Sequence, residues 1–226
     1  SSQMDESWYN EKVMSNSTYL PKRLLAVGDI HGCLHQLKAL MEQVIPSLAD
    51  QVVFLGDYVD RGPASFGVID YLLEFGKTFP STVFLRGNHE QMFSDYLEGR
   101  DPTAFLINGG TKTLDSYQQA EMWPIPESHR NFITALRDAY ETNDYIFVHA
   151  GLRPGLALAK QDRSDLLWIR REFINSDYDW GKTVVYGHTP LKVPFIAETR
   201  LGLDTGCVYG RQLTCCDVRT RQIWQT

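Results

Sequence analysis

Six side chains suited to binding divalent cations recur in five short, glycine-punctuated motifs of this sequence. Asp29 and His31 lie in Gly28-Asp29-Ile30-His31-Gly32, and Asp57 in Gly56-Asp57-Tyr58-Val59-Asp60-Arg61-Gly62. Asn88 follows in Gly87-Asn88-His89-Glu90, His149 in His149-Ala150-Gly151 and His188 in Gly187-His188-Thr189. Carboxylate, amide and imidazole donors together suit Mn, Fe or Zn better than Ca or Cu(I). Six donors suffice for two ions, with Asp57 using both oxygens as the bridge. Two ions about 3.5–4 Å apart clamp both oxygens of an in-line displacement and make hydroxide available near neutral pH. The chemistry that follows is hydrolysis.

The residues between these donors add a second demand. His89 adjoins Asn88 in sequence and so points elsewhere, which suits a general acid for a departing alkoxide. Asp60 is placed to hold that imidazole in its protonated orientation. Arg61, with a second arginine near the pocket, can fork onto non-bridging phosphate oxygens. A phosphate ester is the substrate that uses all of these groups.

Each motif follows an apolar, often β-branched run, so each is expected at a strand end. The spacing predicts strands over 24–27, 52–55, 82–85, 145–148 and 183–186. Helices are predicted over 34–45 and 64–75, and from the third motif to about Leu97. This β-α-β-α-β opening is the signature of a layered α/β domain. Ligands in such folds bind beyond the carboxyl ends of the strands. Residues 99–143 lack strand character, with a helix predicted over 127–140; another is predicted over 166–174. The remainder reads as mainly β, with strands over 194–197, 200–204, 212–218 and 221–224.

The chain has 226 residues and a net charge of −6, with no block of consecutive basic residues. That argues against a protein held to nucleic acid by its phosphates. No apolar stretch approaches membrane-spanning length, and no basic-then-apolar signal pattern is present, so a cytoplasmic location is expected. Polar residues 1–21 read as a flexible N-terminal tail, and 22–226 as one catalytic domain. The four cysteines, Cys33, Cys207, Cys215 and Cys216, lack metal-site and disulfide-framework spacing and read as buried free thiols.

The ordered set GDIHG, GDYVDRG, GNHE, HAG and GH resembles the phosphoprotein phosphatase branch of the calcineurin-like metallophosphoesterases. LRGNHEQM at 85–92, NGG at 108–110, LWIR at 167–170, GHTP at 187–190 and LDTG at 203–206 are similar to the compact bacterial and phage lambda-type phosphatases. The resemblance implies an α/β (α+β) fold, a four-layer α/β/β/α sandwich with two mixed sheets. It implies Asp29, His31 and Asp57 on one metal, with Asp57, Asn88, His149 and His188 on the other. It further implies Arg61 and Arg170 as phosphate-binding residues, with Asn88 beside them, and His89 with Asp60 as the acid pair. Arg171 is the rival of Arg170. The SAPNYC loop of the eukaryotic branch, which brings an aromatic residue to the site, is replaced here by LDTGCVYG at 203–210.

Other eye-catching residues have blander readings. His35 and His129 read as surface or structural, and Arg86 as a partner for a nearby carboxylate. Asn108 reads as a loop-turn residue and Tyr209 as a plain strand residue. Asp204 is a candidate partner for a ligating histidine.

The function that emerges is metal-dependent phosphomonoester hydrolysis, with serine/threonine protein phosphatase as the first reading and two Mn ions as the expected cofactor. Phosphorylated proteins or small phosphoesters are the expected partners, without nucleic acid, membrane or a required regulatory subunit. The rival reading is a symmetrical bis(5'-nucleosyl)-tetraphosphatase. A catalytically dead phosphoprotein-binding scaffold is the remote third, since neither a ligand nor the acid histidine is missing.

Overall fold

A computed structural model describes residues 20–226; most of the segment read as a tail, 1–19, lies outside the described residues. Two five-stranded sheets form the centre. The first runs β10-β9-β1-β2-β3, built from β1 Leu24–Val27, β2 Gln51–Phe54, β3 Val83–Phe84, β9 Thr214–Asp217 and β10 Ile223–Gln225. The second runs β4-β5-β6-β8-β7, built from β4 Ala139–Glu141, β5 Tyr145–Val148, β6 Thr183–Tyr186, β7 Phe195–Ile196 and β8 Arg200–Gly202. β1, β2 and β3 are parallel, as are β5, β6 and β8, and the flanking strands are antiparallel. Both sheets are therefore mixed, as expected.

Alternation along each strand divides the core into layers. Leu24, Ala26, Val53 and Leu55 face the second sheet and pack with Phe147, Val185 and Leu201. Leu25, Val27, Val52 and Phe54 face outward and are covered by helices. These are α1 Leu34–Val44, α2 Ser65–Thr78, α3 Asn88–Leu97, α4 Thr111–Gln119 and α5 Glu127–Thr134. The outer face of the second sheet, with Ile146, Val148, Val184 and Tyr186, is covered by α6 Arg163–Trp168 and α7 Arg171–Ile174 through Leu166 and Phe173. The four layers are helix, sheet, sheet, helix. Cys215 and Cys216 fall into different layers because consecutive strand residues point to opposite faces, and all four cysteines are free and buried.

Three expectations need correction. The helix predicted over 127–140 ends at Thr134, and the chain turns extended so that Arg137 bridges Leu85 and Ala139–Glu141 pairs with β5. Edge pairing won over a marginal helical pattern there, and the region 99–143 does contain a strand. The helix predicted over 166–174 is broken, since Ile169 and Arg170 leave helical geometry between α6 and α7. Tyr209 sits not in a strand but in a 3₁₀ turn, Cys207–Tyr209. Among the described residues no helix is long and apolar enough to cross a membrane.

Candidate metal centre

The first three motifs follow β1, β2 and β3 of one sheet, and the fourth and fifth follow β5 and β6 of the other. All leave carboxyl ends of parallel strands, so the motif loops of both sheets meet at one rim. The loops are tied before any ligand is considered. Ile30 and His31 donate their N–H groups to the Asp57 carbonyl at 3.0 and 2.8 Å, and Gly32 donates to Tyr58 at 2.8 Å. Glycine is required where carboxylates meet backbone: a Cβ on Gly87 would collide with Asp57, and one on Gly187 with Asp29. His31, Asp57, Asp60, Arg61 and His188 all adopt positive φ. For non-glycine residues that costs on the order of 1–3 kcal/mol each, a strain typical of functional sites.

A cavity of about 200 Å³ opens at this rim. Of the ten predicted site residues, His31, Asp57, Arg61, Asn88, His89, Arg170 and His188 line it. Asp29, Asp60 and His149 stand behind that wall, each 4 % exposed or less. Two groups of donor atoms converge, His31–Asp57–His89 and Asp57–His149–His188, with Asp57 common to both. Asp29 is not in the first group; its carboxylate oxygens instead accept the His188 N–H at 3.1 and 3.2 Å.

The ring tautomers make this a cation site by chemistry. His149 Nδ1 donates to the Leu55 carbonyl at 2.8 Å, leaving Nε2 3.0 Å from Asn88 Oδ1 and 3.2 Å from Asp57 Oδ2. His31 Nδ1 donates to the Val59 carbonyl at 2.8 Å, leaving Nε2 3.4 Å from the same Asp57 oxygen. In neutral rings these are lone pairs facing oxygen lone pairs. Only protons or cations relieve that opposition, so the donor set fits divalent metal ions.

The acid–base properties agree. Burial opposes the charge on His31, but Asp57 and the Val59 carbonyl outweigh it and push its pKa up to about 9. Burial also opposes the charge on Asp57, yet the His149, His89 and His31 rings hold its carboxyl well below the usual range. Asp29 goes the other way, driven up by burial and by the charges of Asp204 and Asp57. His188 is pushed down to about 3 by burial and by His149.

The remaining predicted residues surround this cluster. His89 Nδ1 donates to Asp60 Oδ2 at 2.7 Å, which leaves Nε2 free for a ligand. The break at Arg170, with φ −134° and ψ −90°, turns its side chain onto the cavity, while Arg171 does not line it. Arg61 donates Nη1 to the Tyr209 hydroxyl, with its guanidinium 5.8 Å from that ring's centroid. Tyr209 thus stands at the cavity mouth, and an aromatic residue reaches the site without the SAPNYC sequence. Asp204 lines the cavity but hydrogen-bonds the Gly206 N–H at 3.0 Å rather than a ligating imidazole.

The bland readings fare well elsewhere. His35 is exposed, His129 is buried against the Tyr117 hydroxyl at 2.8 Å, and Arg86 pairs with Asp138 at 3.2 Å. Asn108, by contrast, is not in a loop turn but at a kink within the helical stretch Leu106–Gly110, where it donates to the Ala104 carbonyl at 2.7 Å and lines the cavity. A larger cavity of about 340 Å³ lies at the opposite ends of the strands, where Asp50 and Glu141 are engaged by Arg23 and Lys182.

Sequence reasoning gives Glu90, Thr113 and Trp168 no role, yet Glu90 holds the Asp57 N–H, Thr113 the Asp60 carboxylate, and Trp168 lines the cavity. Glu90 lies in the third motif and Trp168 in LWIR, so both carry a signal, whereas Thr113 carries none.

A family model described as Calcineurin-like phosphoesterase matches residues 22–217. Serine/threonine-protein phosphatase 1 of Salmonella typhimurium is 33% identical over 213 residues, spanning 88% of this chain and 93% of the relative. The asymmetrical bis(5'-nucleosyl)-tetraphosphatase PrpE of Anoxybacillus flavithermus is 27% identical over 217 residues, spanning 83% and 87%. Among solved structures, one of a candidate diadenosine tetraphosphatase matches with a TM-score of 0.72 and 25% identity, covering 95% of this chain and 96% of that one.

Proposed function

Since this chain belongs to the calcineurin-like phosphoesterases and is a phosphoester hydrolase, we propose that it acts on phosphoserine and phosphothreonine side chains of proteins. The observation that carries this reading is the pairing of two uncompensated arginines with a hydrogen-bonded acid dyad. Arg61 and Arg170 make no ion pair with a carboxylate among the described residues, and both line the cavity into which His89 also opens. Residues 22–226 act as one catalytic domain in this reading.

Asp29, His31, Asp57, Asn88, His149 and His188 are assigned to hold two divalent ions, for which Mn is the first candidate. Such ions, when bound, supply Lewis acidity and bring the pKa of water toward neutrality. Arg61 and Arg170 bind the non-bridging phosphate oxygens as bidentate forks and orient the ester for in-line attack, with the Asn88 side chain beside them. His89 donates the Nε2 proton to the departing alkoxide, and Asp60 steadies the imidazolium through Nδ1. No residue is assigned as a nucleophile, so no phosphoenzyme forms.

The second reading, dinucleoside tetraphosphate hydrolysis, is favoured by PrpE and by the structural relative. The relative's name specifies asymmetrical cleavage, where the sequence had suggested symmetrical. Rates on phosphoserine peptides and on diadenosine tetraphosphate, side by side in Mn, test the proposal. Faster turnover of the dinucleotide overturns the protein-phosphatase reading, and a trapped phosphoenzyme overturns the direct mechanism.

A further inference from the structure

Thr113 belongs to α4, in the stretch of chain that carries none of the five motifs, yet its side chain is fully buried against the second of them. Its Oγ1 donates to Asp60 Oδ1 at 2.6 Å and accepts the Asp60 N–H at 2.8 Å. Ser65 Oγ lies 3.0 Å from Thr113 Oγ1 and 3.1 Å from the same N–H. A hydroxyl has one proton, and the short carboxylate contact uses Thr113's, so Ser65 donates to Thr113. Asp60 is thereby gripped through its backbone and one oxygen, while its other oxygen faces His89 Nδ1 at 2.7 Å.

The grip matters because Asp60 is completely buried and sits at φ 75°, a backbone conformation it would not choose alone. Thr113 is the only side-chain donor to Oδ1 among the described residues. Removing its hydroxyl leaves a carboxylate oxygen buried and unsatisfied, a cost the side chain escapes by rotating or by taking a proton. Either response withdraws support from the imidazolium. The same segment also holds the neighbouring residue, for the Gly109 carbonyl accepts the Arg61 N–H at 3.1 Å.

We propose that Thr113 is a positioning residue for proton transfer, fixing Asp60 so that His89 presents Nε2–H to the leaving oxygen. This rests on the reading of His89 as the general acid. In the step, the Nε2–H bond breaks and an O–H bond forms on the alkoxide. The imidazole is left neutral, with Nδ1–H still on Asp60.

General-acid assistance matters most for poor leaving groups, which supplies a readout that loss of packing does not move. Thr113→Val, Thr113→Ala, Thr113→Ser and His89→Asn are assayed in Mn with phenyl phosphate and with p-nitrophenyl phosphate. Thr113→Val should lose about 10–100-fold in kcat on phenyl phosphate and less than about 3-fold on p-nitrophenyl phosphate. Thr113→Ser should stay within about 3-fold of the parent on both. Thr113→Ala takes the same test if the valine variant does not fold. Equal losses on the two substrates, or no loss on either, overturn the proposal. If His89→Asn is selective for phenyl phosphate and the threonine variants are not, only the positioning role falls. If His89→Asn is itself unselective, the acid reading falls and the positioning role with it.

Discussion

Glu90 accepts the backbone N–H of Asp57 on Oε1 at 2.6 Å, so one buried carboxylate holds the main chain of the residue shared by both donor clusters. The same oxygen takes the Gly87 N–H at 3.0 Å, and Oε2 takes Tyr58 at 2.9 Å and Val59 at 3.3 Å. Burial and then Asp57 push its pKa up to about 7 against these donors. Four N–H groups would be stranded without it. Glu90→Ala should cost about 2–4 kcal/mol and lower the melting temperature by about 5–15 °C. Calorimetry checks this, and an unchanged melting point would contradict the stapling role.

Tyr209 gives Arg61 a side-chain acceptor at the cavity mouth. Tyr209→Phe keeps the ring and removes only that acceptor, so KM should rise about 3–10-fold with kcat little changed. Arg61→Ala removes a fork onto phosphate and should lower kcat/KM by about 10–100-fold. Steady-state kinetics on p-nitrophenyl phosphate separates the two, and a phenylalanine variant as impaired as the alanine one would refute the division of labour.

Chelation should abolish turnover, and Mn, Fe or Zn should restore it to different extents. In the metal-free protein the proton on His31, held beside Asp57, stabilises the fold fully below its ordinary pKa of 6.5, and that contribution is lost as pH rises through about 9. A cation must displace that proton, so binding at pH 7–8 should release at least about one proton per protein. Titration calorimetry in buffers of different ionisation enthalpy measures it. Uptake that is independent of buffer would show that His31 is not where the ion binds.

Asp50 offers a test remote from the site. Burial opposes its charge, but Arg23, at 2.6 and 3.0 Å, and the Ser47 N–H, at 2.8 Å, hold its pKa below the ordinary 3.8. A depressed carboxylate contributes stability above its unfolded pKa and loses it as pH falls through the folded one. Asp50→Asn should therefore be destabilised by about 1–2 kcal/mol at pH 7, with the gap closing below pH about 4. Urea unfolding at the two pH values decides it, and a gap that does not change with pH would exclude the ion pair as its source.

The convergence of the candidate donors was legible because they are local: each sits within a few residues of a strand end, and periodicity locates strand ends. Arg170 was found through resemblance, while the backbone break that aims it is invisible in a sequence whose apolar spacing continues through 166–174. Thr113 escaped for a different reason. Its partner Asp60 is distant in the chain, and a threonine on a helix carries no mark of the carboxylate it will meet. Tyr209 was misread because a 3₁₀ turn between glycines at 206 and 210 has no period of its own. The strand at 139–141 depends on an edge supplied by β5, which local propensity cannot anticipate.

The central position of β1 has a consequence for how the chain reaches this state. β1 pairs on one side with β2, which follows closely, and on the other with β9, which arrives only after nearly all the rest of the chain. Closing so long a loop is slow, and until it closes one edge of β1 is unpaired. The strand that leads into Asp29 and His31 is therefore among the last to acquire both neighbours.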